Sequence, residues 1–265
     1  YHQLVNTLVQ DGIFQGLRID HIDGLYDPTQ YLERLQQMAG EETYIVVEKI
    51  FLPKEALPTN WTIQGNTGYD FLSMVNNLFT NKQAEKAFTS FYQQITHNWQ
   101  SIHQQLHDKK SYILYNHMAG ELGNLYRLFL QLKIVDYRFL SSVHPDDMKT
   151  AIAEFLIQCP VHRYYSNQLP LQGEEAAAMQ DILNSIKRSG SAHKAAVEIL
   201  ERTWLHKPHE GNEDYNQRAL QFYQRCMQFT GPLMAKGVED TLMYTYHRFI
   251  GHNEVGDSPE AFGHT

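Results

Sequence analysis

Two short apolar runs, each ending in a carboxylate and separated by one helix-length stretch, constrain this chain more than any other feature. The first is Gly16-Leu17-Arg18-Ile19-Asp20 and the second is Tyr44-Ile45-Val46-Val47-Glu48. Between them, Tyr31-Leu32-Glu33-Arg34-Leu35-Gln36-Gln37-Met38 carries helical spacing and is stopped by Gly40. The reading is strand, helix, strand. A β-branched run such as Ile45-Val46-Val47 suits a buried parallel strand, and the connection is long enough for a right-handed crossover. A short helical pattern, Leu4, Val5, Leu8 and Val9, precedes the first run and ends at Gly12.

Beyond residue 80 the pattern changes to helices almost throughout. Leu122, Leu125, Leu128, Phe129 and Leu132 fall on one helical face. So do Met148, Ile152 and Phe155 behind Pro145, a residue suited to a helix start. Ile182, Leu183 and Ile186 form another stripe, followed by Ala195, Ala196, Ile199 and Leu200. These stripes read as core packing. Residues 166–176 and 205–214 are polar and read as loops. From about 226 the chain returns to Gly-Pro punctuation around Gly231-Pro232, with a helical pattern over Thr241–Phe249. The expected fold class is mainly α with a few parallel strands. Three blocks are expected, 1–80, 81–225 and 226–265.

The 265 residues suffice to bury a substantial core, and the 42% hydrophobic and 20% charged content is that of a folded globular chain. A net charge of −8 argues against nucleic acid and against an anionic membrane surface as partners. No stretch approaches the roughly 20 apolar residues of a membrane span. Cys159 and Cys226 are two isolated thiols, which fit a reducing compartment and hence a cytoplasmic setting. The opening Tyr1-His2-Gln3 has no initiator Met and no signal-peptide pattern, as expected of a chain that begins within a longer protein.

Asp20 and Glu48 each stand at the C-terminal end of an expected strand, which is the catalytic face of a (β/α) barrel. Two facing carboxylates suit glycosidic-bond chemistry: one attacks the anomeric carbon and the other protonates the leaving oxygen. Arg18, two residues before Asp20 on the same strand face, would favour the ionised nucleophile. Spacing alone leaves open a pair of solvated strand ends.

The surrounding residues add a resemblance. Gly16-Leu17-Arg18-Ile19-Asp20-His21 resembles the nucleophile strand of the α-amylase superfamily of glycoside hydrolases (family 13), and Val46-Val47-Glu48-Lys49-Ile50 its acid/base strand. Further stretches resemble one branch, the maltooligosyltrehalose synthases. These are Asp20-His21-Ile22-Asp23-Gly24-Leu25-Tyr26-Asp27-Pro28, Leu57-Pro58-Thr59-Asn60-Trp61, Gly65-Asn66-Thr67-Gly68-Tyr69-Asp70-Phe71, Met234-Ala235-Lys236-Gly237-Val238-Glu239-Asp240-Thr241 and Asn253-Glu254-Val255-Gly256. In the helical middle, Cys159-Pro160-Val161-His162-Arg163-Tyr164-Tyr165 is the clearest such patch. The resemblance implies part of a (β/α)8 barrel with a large helical insertion. It also implies a retaining, intramolecular transglucosylation that turns the reducing-end α-1,4 bond of a maltooligosaccharide into an α,α-1,1 bond. Asp20 would be the nucleophile and Glu48 the acid/base. Arg18, His21, Lys49, Trp61, Tyr69, Asp70, Lys236 and Glu239 would contact substrate. No metal or cofactor is called for.

Two departures refine this. Many amylase relatives carry Lys-His three and four residues after the nucleophile, where this chain has Asp23 and Gly24, as the synthases do. Asn66 stands where the synthases usually have Thr. The family's third carboxylate, in a Thr-His-Asp motif, is expected beyond Thr265, so the fragment alone is expected to be inactive and to self-associate through unpaired barrel edges. An ordinary α-amylase-type hydrolase and a non-catalytic helical module that binds maltooligosaccharide are the alternatives. His103 and His107, at i and i+4, have the spacing of a zinc pair but no third ligand in register, and read as surface residues. Asn60-Trp61-Thr62 matches a glycosylation sequon only by coincidence in this reading.

Overall fold

Both carboxylate-ending runs are strands. The computed structural model describes residues 2–52, 55–190, 193–206 and 213–263. β1 spans Gly16–Ile19, β2 Tyr44–Val47, and a two-residue β3 Gly65–Asn66 completes a parallel sheet of order β1-β2-β3. Gly16 pairs with Tyr44 and Ile19 with Val47, while Val46 and Val47 pair with Gly65 and Asn66. Ile45 and Val47 are fully buried, as a parallel strand covered by helices requires. The described residues are mainly α with this one small sheet, the fold class the sequence predicts.

The crossover between β1 and β2 is α2, Pro28–Ala39. It begins before the periodic stretch because Asp27 caps it: the carboxylate accepts from the Gln30 N–H at 2.9 Å, with Pro28 in the first turn. Gly40, at φ +87, ends it. Leu32 and Leu35 bury its inner face, and Ile22, Phe51 and Trp61 are buried too. α1 (Gln3–Gln10) lies against α2. After β3 come α3 (Tyr69–Asn77) and α4 (Glu85–Thr96).

The chain divides into two compact units, residues 1–105 with 239–265, and residues 106–238. In the first, the closing segment packs back through Phe249 and Phe262 against Phe88. Arg248 fixes it further, pairing with Glu85 at 3.2 Å and donating to the carbonyls of Pro259, Glu260 and Ala261.

The second unit is helical. α5 (Ile102–Asn116) leads into it, followed by α6 (Ala119–Leu132), the single turn α7 (Tyr137–Leu140), α8 (Pro145–Gln158), α9 (Gly173–Ser189), α10 (Lys194–Leu205) and α11 (Glu213–Met234). Its core centres on Trp204, whose ring lies 4.6 Å from Phe155 and stacks on Phe222 at 5.9 Å. Leu122, Leu125, Phe129, Met148, Ile152, Ile182, Leu183, Ile186, Ala196, Ile199 and Leu200 are all buried around it. Ala195 is exposed and Val197 takes its place in the stripe.

Four expectations are corrected. The 166–176 loop ends at Gln172, because α9 starts at Gly173. The 205–214 loop is bounded by α10 and α11, with 213–214 already helical; 207–212 lie outside the described residues. Gly231-Pro232 does not break the chain: α11 runs through it to Met234 and widens into π-helical turns over Ala235–Leu242. The helix expected over Thr241–Phe249 therefore ends at Leu242, and among the described residues only the 3-10 turn Ile250–His252 follows.

Candidate active site

Asp20 and Glu48 leave the sheet side by side. Ile19 and Val47, the residues before them, are paired in register, and the Glu48 N–H donates to the Ile19 carbonyl at 2.7 Å. The carboxylates thus emerge together at the C-terminal edge of adjacent parallel strands. Arg18 reaches both: one guanidinium nitrogen lies 2.6 Å from Asp20 Oδ1 and the other 3.5 Å from Glu48 Oε1. The Arg18 hydrogen bond holds the Asp20 carboxyl below its ordinary value, aided by the guanidinium charge. Reciprocally, Asp20 raises the guanidinium. The two acids differ in exposure: the Asp20 side chain is 73% exposed and Glu48 22%.

Glu48 is held from two further directions. His21 adopts the left-handed region at φ +47, turning its N–H onto Glu48 Oε2 at 2.8 Å. That conformation folds the imidazole over Gly24, where any Cβ would run into the ring. A side chain at 24 would require the exposed His21 ring to move aside. From the far side the Tyr69 hydroxyl donates to Glu48 Oε1 at 3.1 Å. Burial and the Glu48 carboxylate both raise the Tyr69 phenol above its ordinary value, and the Glu239 charge adds to this. Tyr69 opens α3 immediately after Gly68, at φ +84, whose N–H is bound by the Asn66 side chain at 2.6 Å. Asn66 thus serves the turn that presents Tyr69.

Two residues expected to face sugar lie in the interior instead. Lys49 is 1% exposed and pairs with Asp23 at 3.4 Å and Glu55 at 3.3 Å, tying the 3-10 turn after Asp20 to the loop after β2. Trp61 is 7% exposed, and its indole N–H donates to Thr29 at 2.9 Å, bracing the start of α2. Asp70 is half-buried in the first turn of α3. Glu239 is half-buried and carries its charge towards Tyr69. Lys236 is exposed on the π-helical turns and belongs to the 106–238 unit. His103 and His107 each have a carboxylate partner, Glu260 at 2.7 Å and Glu154 at 3.1 Å. Among the described residues no group of three His, Cys, Asp or Glu side chains is arranged to hold a metal.

The arrangement couples an exposed, ionised carboxylate to a more sheltered one bound by a backbone N–H and a phenol. That asymmetry suits one acid as nucleophile and the other as proton carrier. Sequence reasoning missed the Lys49–Asp23–Glu55 cluster and the backbone turn at His21, because neither has a sequence period.

No family model matches the chain. It is 28% identical over 262 residues to a putative maltooligosyl trehalose synthase of Mycobacterium tuberculosis, a match covering 99% of this chain and 31% of that protein. The structure of maltooligosyltrehalose synthase from Arthrobacter ramosus superposes with a TM-score of 0.80 at 25% identity, again over 99% of this chain and 31% of that one. A hypothetical maltooligosyl trehalose synthase from Sulfolobus tokodaii gives 0.67 at 26% identity, over 94% and 28%. Over almost its whole length, then, the chain is similar to maltooligosyl trehalose synthases, and it spans 31% of the length of the curated relatives it matches.

Proposed function

We propose that Asp20 and Glu48 are the nucleophile and the acid/base of a retaining enzyme that converts the reducing-end α-1,4 bond of a maltooligosaccharide into an α,α-1,1 bond. The observation that carries this reading is the single guanidinium of Arg18 between the two carboxylates at the level ends of β1 and β2. Arg18 keeps Asp20 ionised, as a carboxylate that must attack the anomeric carbon requires. Glu48 gives its proton to the departing glucose oxygen, so the C–O bond breaks as the Asp20 ester forms. The freed glucose turns and returns through its anomeric hydroxyl. Glu48, now a carboxylate, takes that proton, and the ester is displaced with net retention. All electrons stay in C–O and O–H bonds, so no redox partner is involved.

In this reading the three parallel strands are part of a (β/α)8 barrel and the 106–238 unit is its helical insertion. The activity is assigned to the full-length protein, with maltooligosaccharide as substrate. Its test is product analysis of that protein with maltopentaose: a non-reducing product with an α,α-1,1 linkage is expected. Asp20→Asn and Glu48→Gln should each lower turnover by about 10³-fold or more while leaving the melting profile near that of the parent. Formation of reducing sugars alone would return the chain to ordinary amylase-type hydrolysis.

A further inference from the structure

Tyr69 is gripped from behind by a segment nearly two hundred residues away. Gly256, at φ +87, packs directly on it: a Cβ at 256 would lie 2.6 Å from Tyr69 Cβ and 2.9 Å from the Tyr69 carbonyl oxygen, closer than real side chains approach. The next residue, Asp257, grips the other end of the same helix. Its Oδ2 accepts from the Asn77 amide at 2.6 Å and from His252 Nδ1 at 3.0 Å. His252 Nε2 in turn accepts the Gly263 N–H at 2.8 Å, which places the ring proton on Nδ1. His252 and Asp257 are each 1% exposed. Both ends of α3 are therefore fixed by one closing loop, and Tyr69 carries that fixation to Glu48 through its hydroxyl.

We propose that the 252–257 loop is a positioning clamp for the acid/base, with Gly256 and Asp257 as positioning residues that hold the Tyr69 hydroxyl on Glu48. This rests on the reading of Glu48 as acid/base. The clamp touches no substrate; it limits how far Glu48 departs from the geometry needed for proton transfer. Only glycine fits at 256, because the position combines a left-handed backbone with contact against the Tyr69 main chain.

The test uses the full-length protein and two donors. A maltooligosaccharide needs a proton on its leaving glucose, whereas an α-maltooligosyl fluoride releases fluoride without one. Gly256→Ala and Tyr69→Phe are expected to lower kcat/KM for the oligosaccharide by about 10- to 100-fold and that for fluoride release by less than about threefold. Asp257→Asn, which keeps shape and an acceptor, should show the same donor-selective loss at smaller size and serves where Gly256→Ala fails to fold. Equal losses on both donors, or none on the oligosaccharide, would overturn the clamp. If instead Glu48→Gln itself retained oligosaccharide turnover, the acid/base reading beneath it would be the one to fall.

Discussion

In the proposed reaction, Arg18 is the residue that sets the charge of Asp20. A lone exposed aspartate is ionised at neutral pH in any case, so the hydrogen bond from Arg18 matters most where protons are abundant. Asp20 has its pKa lowered in the folded protein, so it stays charged to lower pH than an unpaired carboxylate. Replacing Arg18 by Met removes the first cause of that lowering. The acid limb of kcat/KM in the full-length protein should then move to higher pH, with a loss at the optimum on the order of 10²-fold; an unmoved limb would show that Asp20 does not govern it. Lys49 makes a different kind of prediction. It is buried with two carboxylates, so Lys49→Met would leave Asp23 and Glu55 facing each other without their cation. Breaking a buried ion cluster from one side costs about 3 kcal/mol or more, read as a lowered urea midpoint at unchanged m. The contrast also marks what could be read in advance. Arg18 follows from the two-residue repeat of a strand, a local rule. The interior placement of Lys49 and Trp61 depends on Asp23, Glu55 and Thr29, residues whose convergence is a property of the folded unit.

At the scale of elements, local chemistry and packing compete, and α11 shows packing winning. Pro232 removes one backbone donor and crowds the preceding turn, which is why Gly231-Pro232 reads as a break. The helix nevertheless continues because Cys226, Met227, Thr230, Leu233 and Met234 are all buried along it, and Thr230 Oγ donates to the His162 carbonyl at 2.7 Å. β3 escapes sequence reading for the opposite reason: two residues are too few to show any period, and only their pairing with Val46 and Val47 defines them. The start of α2 is equally local, yet Asp27-Pro28 is a cap signal available in the sequence. In the π-helical turns, Gly237 lies against α5, where a Cβ would approach Lys110 Cγ to 2.8 Å and Lys110 Cα to 3.0 Å. The second contact is with backbone and cannot rotate away. Gly237→Ala should therefore destabilise the 106–238 unit by about 1–3 kcal/mol, seen as a lower thermal midpoint, even though alanine is intrinsically the better helix former. A stabilised variant would mean that the turns relax around the methyl group.

For the molecule as a whole, the chain's negative charge would suggest stability governed by its many exposed acids, but a buried cation also acts on alkaline behaviour. Lys110 is fully enclosed, and burial lowers its pKa from 10.5 to about 8, with the ammonium donating to the Cys159 carbonyl at 2.8 Å. Below pH 8 the folded and unfolded chains both hold this proton, and the folded state carries the cost of a desolvated ammonium. Between about 8 and 10.5 the folded chain has released the proton while the unfolded chain keeps it. The unfolded state then binds more protons, and stability rises with pH. At about 1.4 kcal/mol per unit, the full span is roughly 3 kcal/mol. Cys226 acts in the other sense: burial holds its thiol well above the ordinary value, so above about 9 the unfolded chain loses a proton that the folded chain retains, and stability falls. The two effects overlap, so the measurement must be a difference. Denaturation of the parent and of Lys110→Met, followed from pH 7 to 9.5, should give free energies whose gap changes by about 2 kcal/mol in favour of the parent as pH rises. A gap that is flat across this range would show that Lys110 titrates alike in both states, and that the enclosure seen around it is opened by water in solution.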